Sequence, residues 1–453
     1  MDKSLQEVAR VLGGRIQAPA GDIRVTGVAT DSRKVKPGDL FVALRGENHD
    51  GHEFASQALA AGAAGVLVSR HVEQGPSIQV PDTLFALQEL AAHHRDQFDI
   101  PVIAVTGSVG KTTTKDLLAA CLEGSLSTLK TPGNYNNEIG LPLTLLGLEP
   151  GHQACVIELA MRGPGEIAAL ARIAKPTGCI IVNVAPVHLE TLGSLENIAR
   201  AKCEVLPFTR DFAVVNGDLP ELQEVPFNLG RIYRFGFSPD CDWRVRRAYF
   251  SEGETIFEIG IGERELRISL PLPAVHLAEN VTAAVGTALL LGIDYSDIRH
   301  RLMRFAPSAG RLTIKSAANG AAIIDDTYNA NPASMKAALQ VLSDYSPGGR
   351  KIAILGDMFE LGPYEIEGHR SVGRAAADLG IDMLLTVGER GVYIMQGAEE
   401  SGFKGTRAHF ATKQDLMSCL RDEILPQDVI LVKGSRGMRM EEIVKALLDA
   451  SAG

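Results

Sequence analysis

None of the six cysteines (Cys121, Cys155, Cys179, Cys203, Cys241 and Cys419) stands at CxxC spacing from another, and none shows metal-ligand spacing. Several sit inside apolar runs such as Ala154-Cys155-Val156-Ile157 and read as reduced core thiols, which argues against a disulfide-built scaffold. No segment approaches about 18 uninterrupted apolar residues, the length a membrane-spanning helix needs. The start, Met1-Asp2-Lys3-Ser4-Leu5-Gln6-Glu7-Val8, lacks the basic region and apolar stretch of an export leader. A cytoplasmic chain without a membrane span is expected. The net charge of -10 leaves no broad basic face, so no nucleic-acid partner is expected. A small polyanionic substrate fits only where positive charge is concentrated locally. Low-complexity tracts and internal repeats are also missing.

What is present is an ordinary globular composition, 45% hydrophobic and 22% charged over 453 residues, enough for roughly three domains at about 150 residues each. The expected fold class is α/β in three parts. Residues 1–98 carry short strand-like pieces with turns between them, such as Asp39 to Leu44, and form a small domain of their own. Residues 99–307 alternate buried apolar strands with helical segments, predicting a mostly parallel sheet covered on both faces. Its strands are placed at Pro101 to Val105, Cys155 to Ile157, Cys179 to Val184 and Phe212 to Val215. Residues 308–453 repeat the pattern with strands at Ala321 to Ile324, Lys351 to Leu355, Met383 to Val387 and Val429 to Val432. This third unit is Rossmann-like but has no GxGxxG after its first strand, so a dinucleotide is not expected there.

The strongest motif is Thr106-Gly107-Ser108-Val109-Gly110-Lys111-Thr112-Thr113-Thr114-Lys115. It lies between an apolar strand and a helical segment, the setting in which backbone N–H groups and a helix N-terminus hold phosphate oxygens. Lys111 can reach the terminal phosphates and the Thr112 hydroxyl can ligate Mg²⁺. The loop departs from GxxxxGK[ST], because Val105 stands where the first glycine belongs. Alone, it leaves kinase, GTPase, motor and ligase open.

Ligands of open α/β sheets gather at the carboxyl ends of strands, so Thr106, Glu158 and the stretch from Ala185 to His188 are expected around one crevice. Glu158 ends an apolar strand and is either a helix-start cap or a hard oxygen ligand for Mg²⁺. The delay of the next helix to about Glu166 favours the metal role. His188, alone, reads as a structural residue or a general base. Lys202, in Ile198-Ala199-Arg200-Ala201-Lys202-Cys203-Glu204, reads as a solvated helix lysine. Asn280 and Arg311 read as a helix amide and a surface arginine. Asn134, Asn136 and Asn137 form an uncharged amide cluster suited to a sugar or peptide, or an asparagine-rich turn. Asp325-Asp326 follows the first strand of the third unit, where two carboxylates can bind an amine or orient a ligand, with a solvated turn as the alternative. Asn329, Asn331 and Pro332 then suggest a rigid polar loop.

The form TGSVGKTTTK resembles the Mur ligases, and the resemblance runs through all three units in order. It continues through Thr131-Pro132-Gly133-Asn134-Tyr135-Asn136-Asn137-Glu138-Ile139-Gly140-Leu141-Pro142, Glu158, Val187-His188-Leu189-Glu190, Ala201-Lys202 and His276-Leu277-Ala278-Glu279-Asn280. It ends in Gly310-Arg311-Leu312, Asp325 to Pro332, Leu355-Gly356-Asp357-Met358 and Lys433-Gly434-Ser435-Arg436-Gly437.

The resemblance implies an ATP-dependent ligase with ATP as substrate and Mg²⁺ as cofactor. Gly107, Ser108, Val109, Gly110, Lys111, Thr112, Thr113, Asn280 and Arg311 would bind the nucleotide, Asn280 toward the base and Arg311 over the phosphates. Thr112, Glu158, His188 and a carbamylated Lys202 would hold the metal, with Lys111, His188 and Lys202 at the chemistry. Thr30-Asp31-Ser32-Arg33 and Asp50-Gly51-His52 match the uridine-nucleotide end, which assigns Ser32 and Arg33 to substrate. Tyr328 to Asn331 favours the branch whose substrates are UDP-N-acetylmuramoyl-tripeptide and D-alanyl-D-alanine, placing Asn134, Asn136, Asn137, Asp326, Asn329 and Asn331 on substrate and the dipeptide in the third unit. A monomer is expected. The alternatives are a related ligase adding another amino acid, a folylpolyglutamate or cyanophycin synthetase, or a P-loop protein that binds ATP without catalysis.

Overall fold

Every residue of Val102–Thr106 is buried, as a strand covered on both faces requires. In the computed structural model of the protein it pairs in parallel with Ala154–Glu158 on one side and Gly178–Ile181 on the other. The structure describes residues 1–17, 22–46, 49–73, 75–187, 189–223, 230–345, 348–420 and 423–449, Leu189 through its backbone only.

Among the described residues the sheet built on these strands has nine members. Thr128–Lys130 forms one edge, and Phe212–Asn216, Ile232–Gly236 and Trp243–Ser251 extend the other side, all in parallel. Glu254–Ile261 and Arg264–Leu270 then add an antiparallel ribbon absent from the sequence expectation. Its burial alternates along Glu254–Ile261, as in a sheet with one face on the core. Gly178–Ile181 is also shorter than expected: Asn183 bonds to the phosphate loop instead of continuing the ladder.

Among the described residues the N-terminal part carries a five-stranded sheet ordered Arg15–Gln17, Ser77–Gln79, Gly65–Val68, Asp39–Val42 and Gly27–Ala29. One core cluster runs from Leu40 and Leu87 in this part to Leu145 and Leu170 in the next. Arg95 strengthens the junction by donating to the carbonyls of Ala174 (3.1 Å) and Lys175 (3.3 Å).

In the third part the order is Thr313–Ser316, Ala322–Asp326, Val429–Lys433, Lys351–Gly356, Met383–Val387 and Thr406–Phe410, parallel except for the first pair. Val429–Lys433, last in sequence, inserts between Ala322–Asp326 and Lys351–Gly356. The chain thereby reverses its direction across the sheet, and a crevice opens at the strand ends. Among the described residues no helix is long and apolar enough to cross a membrane.

The helix Ala278–Leu290 braces the phosphate loop and rests on Trp243, the chain's one tryptophan, which stacks on Tyr233 at 5.2 Å. A Cβ at Gly286 would lie 2.2 Å from the indole ring. Gly286→Ala should therefore destabilise the protein by about 1–3 kcal/mol, because overpacking outweighs the gain in helix propensity. Urea unfolding followed by Trp243 fluorescence measures it, and an unchanged midpoint would contradict this packing.

His369 is fully buried: its Nε2 accepts from the Met358 N–H at 2.9 Å, and Nδ1 donates to the Glu365 carbonyl at 2.7 Å. That pattern requires the neutral ring, and burial pulls its pKa below the ordinary 6.5. Unfolding restores the ordinary value, so the unfolded chain binds more protons below about 6.5 and stability falls as pH drops through that range. Replacing His369 with Gln should flatten the loss of stability between about pH 7 and pH 5, read by denaturant titration.

Candidate active site

The phosphate loop leaves the sheet at Thr106 and enters the helix Lys111–Leu122 through Gly110, whose φ of +80° a glycine adopts without strain. Asn183, at the end of the neighbouring strand, fixes the loop. Its Oδ1 accepts the N–H groups of Ser108 (3.0 Å) and Val109 (2.9 Å). The Ser108 hydroxyl donates to the Ala185 carbonyl (3.2 Å) and accepts from the Ala185 N–H (2.9 Å). Beyond these bonds, the first-turn N–H groups at Lys111, Thr112 and Thr113 lie ahead of the intrahelical ladder and suit phosphate oxygens.

Lys111 folds its ammonium onto the carbonyls of Gly107 (2.8 Å) and Ser108 (3.3 Å). Burial lowers its pKa from the ordinary lysine value, with Glu158 opposing and Arg311 adding to the shift. Glu158 is buried and caps no helix, since the next begins at Glu166. Its carboxylate accepts from the Thr112 hydroxyl (2.7 Å) and from the Asn136 amide (2.7 Å).

Among the described residues no group of three or more His, Cys, Asp or Glu side chains forms a metal cage. The donor set of one carboxylate and one hydroxyl beside a phosphate cradle nevertheless fits Mg²⁺, which binds few protein oxygens and completes its shell with phosphate and water.

Lys202 overturns the solvated-lysine expectation. It is 2% exposed within the helix Leu195–Cys203, and no carboxylate among the described residues pairs with it. Burial, then repulsion from Lys111, lowers its pKa well below the ordinary value. His188, the other residue assigned to metal by resemblance, lies outside the described residues.

An open cleft of about 510 Å³ gathers Ser108 to Thr113, Asn136, Glu158 and Asn280 with Arg311, Asp326, Asn329 and Asn331 of the third part. Asn280 is a buried amide on the brace helix, donating to Thr114 Oγ1 at 2.9 Å and to the Gly110 carbonyl at 3.5 Å. Arg311 is half-buried, its Cζ 4.1 Å from the Tyr328 ring centroid.

Asp325 and Asp326 do bind amines, but the chain's own: Lys315 lies 2.7 Å from Asp325 and Lys433 2.5 Å from Asp326. They are not a solvated turn. Asn331 Oδ1 accepts the Ser334 N–H at 2.9 Å and so caps the helix Pro332–Tyr345. Asn137 does similar work for Gly140–Leu146, accepting the Gly140 N–H at 2.9 Å, while Asn134 is exposed.

Ser32 and Arg33 do not line this cleft. They sit in a turn of the N-terminal part, where Ser32 donates to Gln57 (3.1 Å) and Arg33 donates to Asp31 (2.9 and 2.8 Å).

Asn183, His276 and Lys433 also line the cleft, and none had a role assigned from sequence. Asn183 looked like strand interior. His276 and Lys433 lay inside quoted motifs but carried no residue-level signal. Burial pushes the His276 imidazole down to about 4, with Asp326 opposing and Lys433 reinforcing the shift.

A phosphate loop beside a buried carboxylate, with an arginine from another part facing it, defines a P-loop nucleotide enzyme whose cleft is completed by its third domain. Comparison with known proteins narrows the class. Residues 24–95 match the family description "Mur ligase family, catalytic domain", 105–288 "Mur ligase middle domain" and 310–436 "Mur ligase, glutamate ligase domain".

A Bacillus subtilis protein named UDP-N-acetylmuramoyl-tripeptide–D-alanyl-D-alanine ligase is 38% identical over 99% of both chains. An Escherichia coli protein of that name is 39% identical over 98% of both. MurF from Acinetobacter baumannii superposes with a TM-score of 0.89 at 33% identity, covering 99% of each chain. MurF ligase from Thermotoga maritima, solved in complex with ADP, gives 0.81 at 30% identity over 94% of this chain and 97% of that one. The chain belongs to the Mur ligase family and is an ATP-dependent ligase.

Proposed function

We propose that the protein joins D-alanyl-D-alanine to UDP-N-acetylmuramoyl-tripeptide through an acyl phosphate, with release of ADP and phosphate, giving the pentapeptide precursor of peptidoglycan. The observation that carries this reading is the single cleft in which the phosphate loop and Glu158 face Arg311, Asn329 and Asn331. Near full-length similarity to proteins named for that reaction supports the choice of substrates.

A carboxylate at neutral pH is a poor electrophile, so forming an amide requires a better leaving group on its carbonyl carbon. Attack of the tripeptide carboxylate on the γ-phosphate supplies one, and the dipeptide amine then displaces phosphate. Gly107 to Thr113 would hold the phosphates, with Lys111 moving from its own loop carbonyls onto them. Asn280 would stand toward the base and Arg311 over the phosphate chain. Thr112 and Glu158 would hold Mg²⁺, joined by His188 and a carbamylated Lys202. The metal supplies neutralisation of phosphate charge. Everything else is positioning: good alignment contributes on the order of 7–11 kcal/mol.

Lys202 suits carbamylation because the neutral amine is the form that attacks CO₂, and burial shifts this lysine toward that form. Ser32, Arg33 and residues 1–98 are assigned to the uridine end. Residues 99–307 take ATP, and 308–453 take the dipeptide, with Asn329 and Asn331 on its wall. The amide cluster Asn134, Asn136 and Asn137 is assigned to the muramoyl peptide, although the Asn136 amide and the Asn137 side-chain oxygen already have internal partners. Cytoplasmic location is supported by free cysteines, four of them buried.

Phosphate release with ATP, Mg²⁺ and UDP-N-acetylmuramoyl-tripeptide should depend on D-alanyl-D-alanine and be weak with single D- or L-amino acids. Preference for a single amino acid would instead indicate a related Mur-type ligase. After incubation with ¹³C-bicarbonate, wild type should show a carbamate carbon resonance that Lys202→Met lacks; an identical spectrum from the variant would mean that Lys202 is not the carbamylated residue.

A further inference from the structure

The turn Gly310-Arg311-Leu312 carries the guanidinium that faces the phosphate loop, and its backbone is unusual. Gly310 has φ +72° and Leu312 has φ +54°, a left-handed conformation that a leucine keeps only where its surroundings impose it. Four contacts impose it here. The Arg311 N–H donates to the Ser308 carbonyl at 3.1 Å, and the Tyr328 N–H donates to the Gly310 carbonyl at 3.0 Å. The Leu312 N–H donates to Asp326 Oδ1 at 3.2 Å, and the Arg311 guanidinium lies on the Tyr328 ring.

Asp326 is held in turn. Its Oδ2 pairs with Lys433 at 2.5 Å, and the same ammonium donates to the carbonyls of Asn329 (2.9 Å) and Asp326 (3.4 Å). Lys433 is 3% exposed, and three acceptors meet its three protons, so none is left for a ligand. Asp326 and Lys433 are also register partners at the ends of adjacent parallel strands, and sites built on strands are held more precisely than sites on loops. On the other side, the Ser308 hydroxyl donates to Asp116 of the phosphate-loop helix at 2.5 Å, so the turn is pinned from both domains.

We infer that Asp326, Tyr328 and Lys433 are positioning residues that hold the Gly310-Arg311-Leu312 turn and aim the Arg311 guanidinium at the nucleotide phosphates. The inference rests on the reading that Arg311 faces bound ATP. It assigns Asp326 to the arginine rather than to direct contact with the incoming dipeptide, the role the sequence resemblance suggested.

A double-mutant cycle separates the two roles. ATP affinity, measured by calorimetry with Mg²⁺ on the full chain, should weaken by about tenfold in both Arg311→Ala and Asp326→Ala, with the double variant within about threefold of the weaker single one, since residues acting through one group are not additive. Tyr328→Leu should weaken ATP to a similar extent and Tyr328→Phe should bind like wild type, a contrast that general unfolding would not produce. Asp326→Asn keeps an acceptor for the Leu312 N–H and should recover part of the loss.

In the phosphate-release assay, the KM for D-alanyl-D-alanine should change by less than about twofold in Asp326→Ala while the KM for ATP rises. Costs that multiply in the double variant, an Arg311→Ala affinity equal to wild type, or a dipeptide KM raised by Asp326→Ala would each overturn the inference. A wild type that binds ATP but releases no phosphate would count against the ligase reading alone, and the binding cycle would still decide the role of Asp326.

Discussion

The hydrogen bond from Thr112 to Glu158 joins the first turn of the phosphate-loop helix to the end of the neighbouring parallel strand, and the cleft is organised around it. It exists because Glu158 stands in register with Val105, so that the carboxylate emerges beside the loop where the chain leaves the sheet. On the opposite flank Ile181 is in register with Thr106, and two residues later Asn183 bonds the loop from the other side. Loop, carboxylate and supporting amide are thus fixed by the geometry of three strands. Electrostatic stabilisation of a developing charge works best when such donors are already in place.

Charge is distributed to match. In the third domain, Lys315 and Lys433 each have an aspartate partner. In the central domain, Lys115 has Asp116 at 3.4 Å. Lys111 and Lys202 differ. Among the described residues neither is ion-paired, and burial depresses both pKa values. A buried amine without a counter-ion is costly unless something else meets it. Lys111 meets the loop carbonyls of Gly107 and Ser108, which phosphate oxygens would replace under the proposed function, and carbamylation would turn Lys202 into an anion itself.

Much of this was legible from the chain. Buried apolar runs identified the main strands of the two larger sheets, since a strand covered on both faces has little choice of residue. The loop announced itself by Gly-Lys-Thr in strand-turn-helix context, and Glu158 by ending a strand with no helix to cap. What escaped depends on partners distant in sequence. Asn183 sat in what looked like strand, because nothing local reveals that its amide turns to Ser108 and Val109. The burial of Lys202 was hidden by an ordinary-looking helix. Glu254–Ile261 alternates as a half-buried strand should, a pattern unlike the continuous apolar runs that identified the other strands of this sheet. Asp325 and Asp326 read from sequence as carboxylates for an amine or a ligand, and nothing local reveals that lysines from positions 315 and 433 of the same chain pair with them.

In the proposed reaction, amide formation proceeds by phosphoryl transfer to the substrate carboxylate inside this cleft. UDP-N-acetylmuramoyl-tripeptide carrying ¹⁸O in its terminal carboxylate tests it directly, with the released inorganic phosphate analysed by mass spectrometry. An acyl phosphate intermediate requires one labelled carboxylate oxygen to leave with the phosphate. Phosphate released during amide formation without label would contradict the mechanism.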